Sequence, residues 1–177
     1  MSPPNKTAVL LVNLGSPDST SVRDVRRYLR EFLSDPRVLD APWLARQFAL
    51  NFCILPFRPR VSSEAYKKIW TAEGSPLVVI SRRARELLEK KLGRPVELAM
   101  RYGRPSISEV LQRLADQQVE EIHLIPLYPH YAMSSYETVV ERVREVLHPA
   151  HSGITLKVQR PFFDDPDYLE ALAASAA

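Results

Sequence analysis

Four short segments of the sequence combine apolar and aromatic side chains with a few cations and hydrogen-bond donors. The segments are NLGSPDS, MRYGRPS, LYPHYAMSS and QRPFFDDP, and they contribute Asn13, Leu14, Arg101, Tyr102, Tyr128, His130, Tyr131, Met133, Phe162 and Phe163. Ligand pockets are lined mainly by apolar and aromatic groups, with a small number of polar groups that fix orientation. The combination indicates a site for a large, flat, apolar ligand with anionic edges. Taken singly, each aromatic residue is better explained as a cap over the end of a hydrophobic core.

Several other chemistries lack candidate residues. The segment GSPDST has one glycine, so neither the glycine-rich dinucleotide turn nor the phosphate loop is present. No serine, cysteine or threonine lies in a nucleophile elbow, and no pair of histidines or cysteines has the spacing of a structural zinc site. We therefore expect neither nucleotide binding nor covalent catalysis.

Charge and cysteine content exclude further classes. The 24 basic and 21 acidic residues give a net charge of +3 and are mixed along the chain, without the basic run that tracks a nucleic-acid backbone, so no nucleic-acid partner is expected. The single cysteine, Cys53, cannot form an internal disulfide, which favours a reducing compartment and no iron–sulfur cluster. We predict that Cys53 is buried as a small apolar side chain. No leader or membrane-length apolar segment is recognisable, so the predicted location is cytoplasmic.

The elements that must position the four segments alternate between strand and helix. The continuous apolar run TAVLLVNLG is typical of a strand buried on both faces, and apolar residues at helical spacing follow from Val22 to Leu33. Further strands are predicted at VELAMRYG, EIHLIPLY and ITLKVQR, with helical patterns between them. Strands joined by helical crossovers run parallel. We predict one α/β domain over residues 1–177, a doubly wound, flavodoxin-like sheet of four parallel strands in the order 2-1-3-4, with helices on both faces and extra helices over Pro42 to Trp70.

Each of the four segments directly follows a predicted strand. In doubly wound folds, ligands bind outside the carboxyl ends of the strands. The predicted topology therefore brings the four segments to one edge of the sheet, with Leu14 and Arg101 at the same end.

The order of the motifs resembles the amino-terminal half of a ferrochelatase, a member of the family that inserts ferrous iron into a porphyrin to make heme. The resemblance runs from Thr7 to the end of the chain through NLGSPDS, VRRYLREFLSDPRVLD, YKKIW, EGSPL, MRYGRPSI and LYPHYAMSS. The combination of YLREFLSDPRV, GSPL and RYG-x-PSI at these separations is known to us from no other family.

The resemblance implies a set of porphyrin-binding residues. Leu14 is expected to face the macrocycle, with Asn13 shaping the turn beside it, and Phe32 and Leu33 are expected in a lip that covers the porphyrin. The residues expected at the polar edges of the porphyrin are Tyr66, Ser75, Arg58 and Arg60, the last two as paired cations near a propionate. The remaining residues expected in or behind the cleft wall are Arg101, Tyr102, Tyr128 and Phe163.

The histidines are weak candidates for proton transfer or iron binding. His130 follows the third strand and is the one candidate for a catalytic or metal-binding role, whereas His123 is predicted to be a core histidine with a satisfied hydrogen bond. His151, in AHSGI, precedes a strand and is therefore expected at the opposite end of the sheet. By the resemblance, the metal-facing histidine and its glutamate partner belong to a second half that this sequence lacks.

The implied function is insertion of ferrous iron into protoporphyrin IX or coproporphyrin III, with iron as a substrate and no resident cofactor. Because the sequence ends within a predicted helix, YLEALAASAA, we expect one half of the enzyme, with very low activity alone. Self-association through the exposed half of the cleft and peripheral contact with a membrane are also expected. Three alternatives remain open: a noncatalytic porphyrin- or heme-binding module, a cobalt or nickel chelatase-type domain, and an α/β half-domain without activity.

Overall fold

Four parallel strands form the central sheet in the computed structural model, which describes residues 6–150 and 153–176. The strands are β1 (Thr7–Ser16), β2 (Val96–Gly103), β3 (Glu121–Pro126) and β4 (Thr155–Val158). Their order across the sheet is β2-β1-β3-β4, and every neighbouring pair is parallel. The predicted fold class and strand order are therefore confirmed.

Strand β1 lies at the centre of the sheet and is buried on both faces. Leu10 and Val12 belong to the larger core cluster, whereas Val9 and Leu11 belong to a second cluster on the opposite face. Successive side chains of a strand point to opposite faces, so an unbroken apolar run is what a strand covered on both sides requires.

Seven α-helices and two π-helical segments connect or follow the strands in the described residues. They are α1 (Val22–Ser34), α2 (Trp43–Phe48), a π-helical segment (Ala49–Ile54), α3 (Arg58–Ile69), α4 (Pro76–Leu92), α5 (Ile107–Asp116), a second π-helical segment (Met133–Glu137), α6 (Thr138–Ala150) and α7 (Pro166–Ala176). The helices predicted between Pro42 and Trp70 are thus present as α2, the first π-helical segment and α3.

Helix boundaries follow local capping chemistry. The Ser21 hydroxyl accepts a hydrogen bond from the backbone N–H of Asp24 at the start of α1. Ser106 and Glu109 form a reciprocal capping box at the start of α5. Helix α4 ends at Gly93, whose φ of 60° lies in the left-handed region that favours glycine at this position.

The helices cover both faces of the sheet, as predicted. Helices α5 and α6 pack on the larger core cluster through residues such as Leu111, Leu114 and Val143. Helix α4 packs on the second cluster through Leu77, Val78 and Leu88. None of the helices within the described residues is both long and apolar enough to cross a bilayer.

Two predictions about individual side chains were wrong. Cys53 is exposed rather than buried, because the first π-helical segment turns it away from the core while Leu50 packs inward. His123 is half-exposed rather than in the core, because burial alternates along β3 and its face of the strand is the open one. Its ring Nε2 lies 2.7 Å from Glu121 Oε1, so the expected hydrogen bond is present.

Candidate functional site

The turn at the end of β1 is held by its own asparagine. The backbone N–H of Leu14 donates to Asn13 Oδ1 at 2.8 Å, and Asn13 Nδ2 donates to the Ser81 hydroxyl of α4 at 3.0 Å. Asn13 therefore shapes the turn in the way the sequence predicted. The β1–β2 register pairs Asn13 with Met100 and Gly15 with Tyr102, so Leu14 and Arg101 lie at the same end of the sheet, also as predicted.

Four tyrosines from different elements converge near this end. Burial raises the pKa of the Tyr28 phenol, and the neighbouring phenols of Tyr66, Tyr128 and Tyr102 raise it further. Burial also raises the pKa of Tyr66, and it raises the pKa of Tyr102 to about 12. The structure thus brings three predicted site residues together, and it adds Tyr28, whose hydroxyl donates to the carbonyl oxygen of Gly15 at 3.4 Å.

Tyr128 is the member of this group with an unmet hydrogen-bonding requirement. Its ring packs against the larger core cluster, and burial raises its pKa. Its hydroxyl oxygen is buried and has no hydrogen-bond partner among the described residues. Buried polar atoms are almost always paired, so this unpaired hydroxyl is an exception among the described residues.

Phe32 connects the tyrosine group to the end of α1. Its ring stacks on the Tyr28 ring, with the centroids 6.1 Å apart, and packs edge-on against the Tyr102 ring, with the centroids 5.1 Å apart. Both Phe32 and its neighbour Leu33 are half-buried. Phe32 is therefore supported by two of the tyrosines, and both residues predicted for the lip remain partly exposed.

Asp35, the residue that follows α1, is the centre of a buried polar cluster. Its Oδ2 accepts hydrogen bonds from the Tyr102 hydroxyl at 2.8 Å and from the Thr138 hydroxyl at 2.5 Å. Its Oδ1 accepts from the backbone N–H of Arg37 at 2.8 Å, and the Arg101 guanidinium forms an ion pair with its carboxylate. The Asp35 side chain is 4% exposed.

The electrostatics of this cluster keep Asp35 ionised. Burial, the largest single contribution, raises its pKa, but it is outweighed by the combined effect of the hydrogen bonds from Thr138, the backbone N–H of Arg37 and Tyr102 and of the charge of Arg101. The pKa of the Asp35 carboxyl therefore lies below its ordinary value.

The cluster changes the interpretation of Arg101. The arginine fork could bind a propionate, but in this structure its charge is paired with Asp35 and its Nε donates to Thr138 Oγ1 at 2.8 Å. Its guanidinium also lies 4.4 Å from the centre of the Tyr102 ring. Arg101 and the almost fully buried Tyr102 are thus bound to Asp35 and contact each other.

Ser75 occupies the start of α4 beside an open cleft of about 410 Å³. The side chain of Ser75 makes no capping hydrogen bond to the first turn of this helix. The cleft is also lined by Ser16, Trp70, Arg82 and Arg104. The ring centroids of Trp70 and Tyr66 are 6.1 Å apart. Because Trp70 also lines the cleft beside Ser75, it is close to both Tyr66 and Ser75, two of the residues predicted at the polar edge of the ligand.

Three predicted site residues, Arg58, Arg60 and His130, lie outside these contacts. Arg58 and Arg60 are exposed in the first turn of α3, on either side of the buried Pro59. His130 is exposed, and its ring stacks on Phe163 with centroids 5.5 Å apart. The described residues contain no group of three or more histidine, cysteine or acidic side chains that could hold a metal. The role of His130 stays a prediction, and His151 lies outside the described residues.

Sequence reasoning missed two functional candidates, Asp35 and Thr138. Asp35 lies within the motif YLREFLSDPRV, which contributes to the resemblance without assigning a role to this residue, and Thr138 is one polar residue within a helical pattern. A usable signal was present: an acidic residue immediately after a helix that carries two lip residues.

Comparisons with known proteins identify the family that this sequence matches. The family model described as Ferrochelatase matches residues 6–177. The ferrochelatase of Opitutus terrae is 53% identical over an alignment 177 positions long, which covers 98% of this chain and 51% of that protein. The ferrochelatases of Ectopseudomonas mendocina and Pseudomonas fluorescens biotype C are 51% and 50% identical over 170 residues, 96% of this chain and 50% of each protein. The chain spans about half the length of the curated relatives it matches.

Proposed function

This chain belongs to the ferrochelatase family, and from that premise we propose that it forms one half of an enzyme that inserts ferrous iron into a porphyrin in heme biosynthesis. The observation that carries the proposal is the match of the family model to nearly the whole chain. The proposed substrates are ferrous iron and a metal-free porphyrin, either protoporphyrin IX or coproporphyrin III. The proposal includes no resident cofactor and, in a chain with one cysteine, no iron–sulfur cluster.

Metal insertion requires the flat ring to be bent and two pyrrole N–H protons to be removed. The convergence of Leu14, Phe32 and the tyrosines at one end of the sheet supports a role in the first task, because a rigid apolar wall can hold a ring against its preferred planarity. For the second task, His130 is the candidate in this chain, but it is exposed and stacked on Phe163. We therefore assign proton removal to the other half of the enzyme.

One wall alone should bind porphyrin weakly. If about 200 Å² of the ring that is buried in a complete cleft stays in water, the loss at about 25 cal/mol per Å² is about 5 kcal/mol, or more than about 1,000-fold in affinity. This argument predicts weak binding and negligible metalation by the isolated chain.

The test is an anaerobic assay with ferrous iron and protoporphyrin, in which heme absorbance reports metalation and porphyrin fluorescence reports binding. The complete gene product should form heme, and the isolated chain should form almost none. The His130→Ala variant of the complete protein should keep its activity. Turnover by the isolated chain close to that of the complete protein would contradict the proposal and make His130 the first residue to study. Binding without metalation by the complete protein would favour the noncatalytic alternative.

An exposed apolar surface supports a second element of the proposal, peripheral contact with a membrane. Trp43, Leu44, Phe48, Phe52 and Phe57, on and beside α2 and the first π-helical segment, are between 62% and 74% exposed. The exposed Arg58 and Arg60 follow directly in sequence. Aromatic side chains beside cations suit the interface of an anionic bilayer.

Vesicle cosedimentation tests the membrane proposal. The protein should sediment with phosphatidylglycerol vesicles, and Phe52→Ser should weaken that binding. Leu87→Ser is the matched control, because Leu87 on α4 is also 70% exposed but lies on another helix. Equal effects of the two substitutions would show that the surface has no special role.

The proposal also includes self-association of the isolated chain and a cytoplasmic location. Large apolar patches rarely stay in water, so sedimentation should detect dimers whose fraction rises with protein concentration and falls on addition of porphyrin. An exposed thiol such as Cys53 is preserved by a reducing compartment, which supports the cytoplasm.

A further inference from the structure

Asp35 joins three elements that are far apart in sequence. It follows α1 directly, its Tyr102 and Arg101 partners lie near the end of β2, and Thr138 is the first residue of α6. Thr138 is 1% exposed, so the contact between its hydroxyl and Asp35 is buried. A carboxylate that accepts from several fixed donors in a buried site holds those donors in one arrangement.

The junction controls where Phe32 lies. Phe32 is in the last turn of α1, three residues before Asp35, and its ring contacts Tyr102 edge-on at 5.1 Å. Tyr102 in turn donates its hydroxyl to Asp35. Phe32 is thus close to Asp35 along the chain, and its ring contacts a tyrosine that is hydrogen-bonded to the Asp35 carboxylate.

The junction also reaches the loop after β3. The backbone N–H of Arg37 donates to Asp35, and the side-chain Nε of Arg37 donates to Glu137 Oε1 at 3.4 Å. Glu137 accepts a hydrogen bond from the hydroxyl of Tyr131, which belongs to the LYPHYAMSS segment. The Asp35 cluster therefore contacts the lip residue Phe32 through Tyr102, and it is connected through Arg37 and Glu137 to Tyr131 in the loop after β3.

We propose that Asp35 is a positioning residue for the porphyrin, which fixes the distance between the lip residue Phe32 and the loop after β3 and so sets the width of the cleft. The inference rests on the proposed function. In this proposal Asp35 does not contact the reacting atoms. Thr138 and Arg101 keep its carboxylate in position through a hydrogen bond and an ion pair.

The experiment uses the complete gene product and measures steady-state metalation with porphyrin and ferrous iron varied separately. Active-site titration with a tight porphyrin ligand gives the folded, competent fraction of each preparation. The variants are Asp35→Asn, Thr138→Val and Thr138→Ser. Asp40→Asn is the matched control, because Asp40 is an exposed acid five residues further along the same connection.

Asp35→Asn should raise the porphyrin KM about tenfold, equivalent to about 1.4 kcal/mol, and leave the KM for ferrous iron unchanged. Thr138→Val removes one hydroxyl donor and should raise the porphyrin KM by a smaller factor, about threefold to fivefold. Thr138→Ser restores the hydroxyl and should return the porphyrin KM to within about twofold of wild type. Asp40→Asn should match wild type in both constants.

A role in folding alone predicts a different result. It lowers the titrated active fraction and leaves both KM values unchanged, and that outcome would overturn the inference, as would equal increases in both KM values. If Asp35→Asn does not fold, the comparison of Thr138→Val with Thr138→Ser decides. An inactive wild-type protein would instead refute the proposed function, so the two failures are distinguishable.

Discussion

Replacing Gly15 by alanine should be one of the most destabilising single-methyl additions in this protein. Gly15 has a φ of +105°, and a Cβ built on it would lie 1.8 Å from the backbone carbonyl oxygen of Tyr102 on the neighbouring strand. Cβ atoms essentially never come closer than 3.0 Å to another atom. The obstacle is backbone rather than a flexible side chain, so β1 and β2 must separate where Gly15 pairs with Tyr102.

Two costs add at this position. A residue with a Cβ at positive φ costs about 1–3 kcal/mol, and overpacking of a filled site costs about 1–3 kcal/mol more. We therefore expect Gly15→Ala to lower the free energy of unfolding by about 2–6 kcal/mol, out of the about 5–15 kcal/mol typical of a domain.

Urea unfolding followed by circular dichroism measures this loss of stability. Alanine substitutions at two other glycines distinguish the cost of the backbone conformation from the cost of overpacking. Gly74 has a φ of +114° with no atom within 4 Å of its added Cβ, so Gly74→Ala should show the backbone cost alone. Gly153 has neither constraint, so Gly153→Ala should change the stability by less than about 0.5 kcal/mol. If Gly15→Ala costs no more than Gly74→Ala, the close approach of the two strands at Gly15 is wrong.

Three further predictions test the core, the buried carboxylate and the exposed thiol. Leu124→Ala should lower the free energy of unfolding by about 2–5 kcal/mol because Leu124 is fully buried, whereas Leu87→Ala should change it by less than about 0.5 kcal/mol; equal losses in thermal or urea unfolding would contradict the assigned core. The folded-state pKa of Asp35 is depressed, so its contribution to stability is present above the unfolded pKa of 3.8 and is lost as the pH falls through the folded pKa. Asp35→Asn should therefore be less stable than wild type near neutral pH, and urea titrations should show the difference shrinking in acid; a constant difference down to about pH 2 would contradict this reasoning. Cys53 should react with a thiol reagent in the folded protein at the rate of an exposed cysteine, and protection until denaturant is added would show that the first π-helical segment is placed wrongly.

Local sequence patterns were sufficient for the fold but not for the polar cluster. A signal contained within about ten residues was enough to predict three features: the apolar run of β1, the residues VELAMRYG of β2 and the glycine that ends α4. The structure has these elements where the patterns predict them. The hydrogen bond between Thr138 and Asp35 spans 103 residues, so no local pattern predicts it. Cys53 was misjudged for a related reason: ALNFCILPF is apolar enough for a core, and only the tertiary arrangement decides which of its side chains stay outside.

The central position of β1 has a consequence for synthesis on the ribosome. Within the described residues, β1 precedes both of its partner strands in sequence. It pairs with β2 in a register that places Val9 opposite Val96, and with β3 in a register that places Thr7 opposite Glu121. At a translation rate of about 5–20 residues per second, the apolar residues of β1 wait roughly 4 to 17 seconds before their first partner strand, β2, is synthesised. During that interval an unpaired strand of this composition is a target for aggregation or for a holding chaperone. The timing of translation between β1 and β2 should thus affect the yield of folded protein, independently of the stability of the finished sheet.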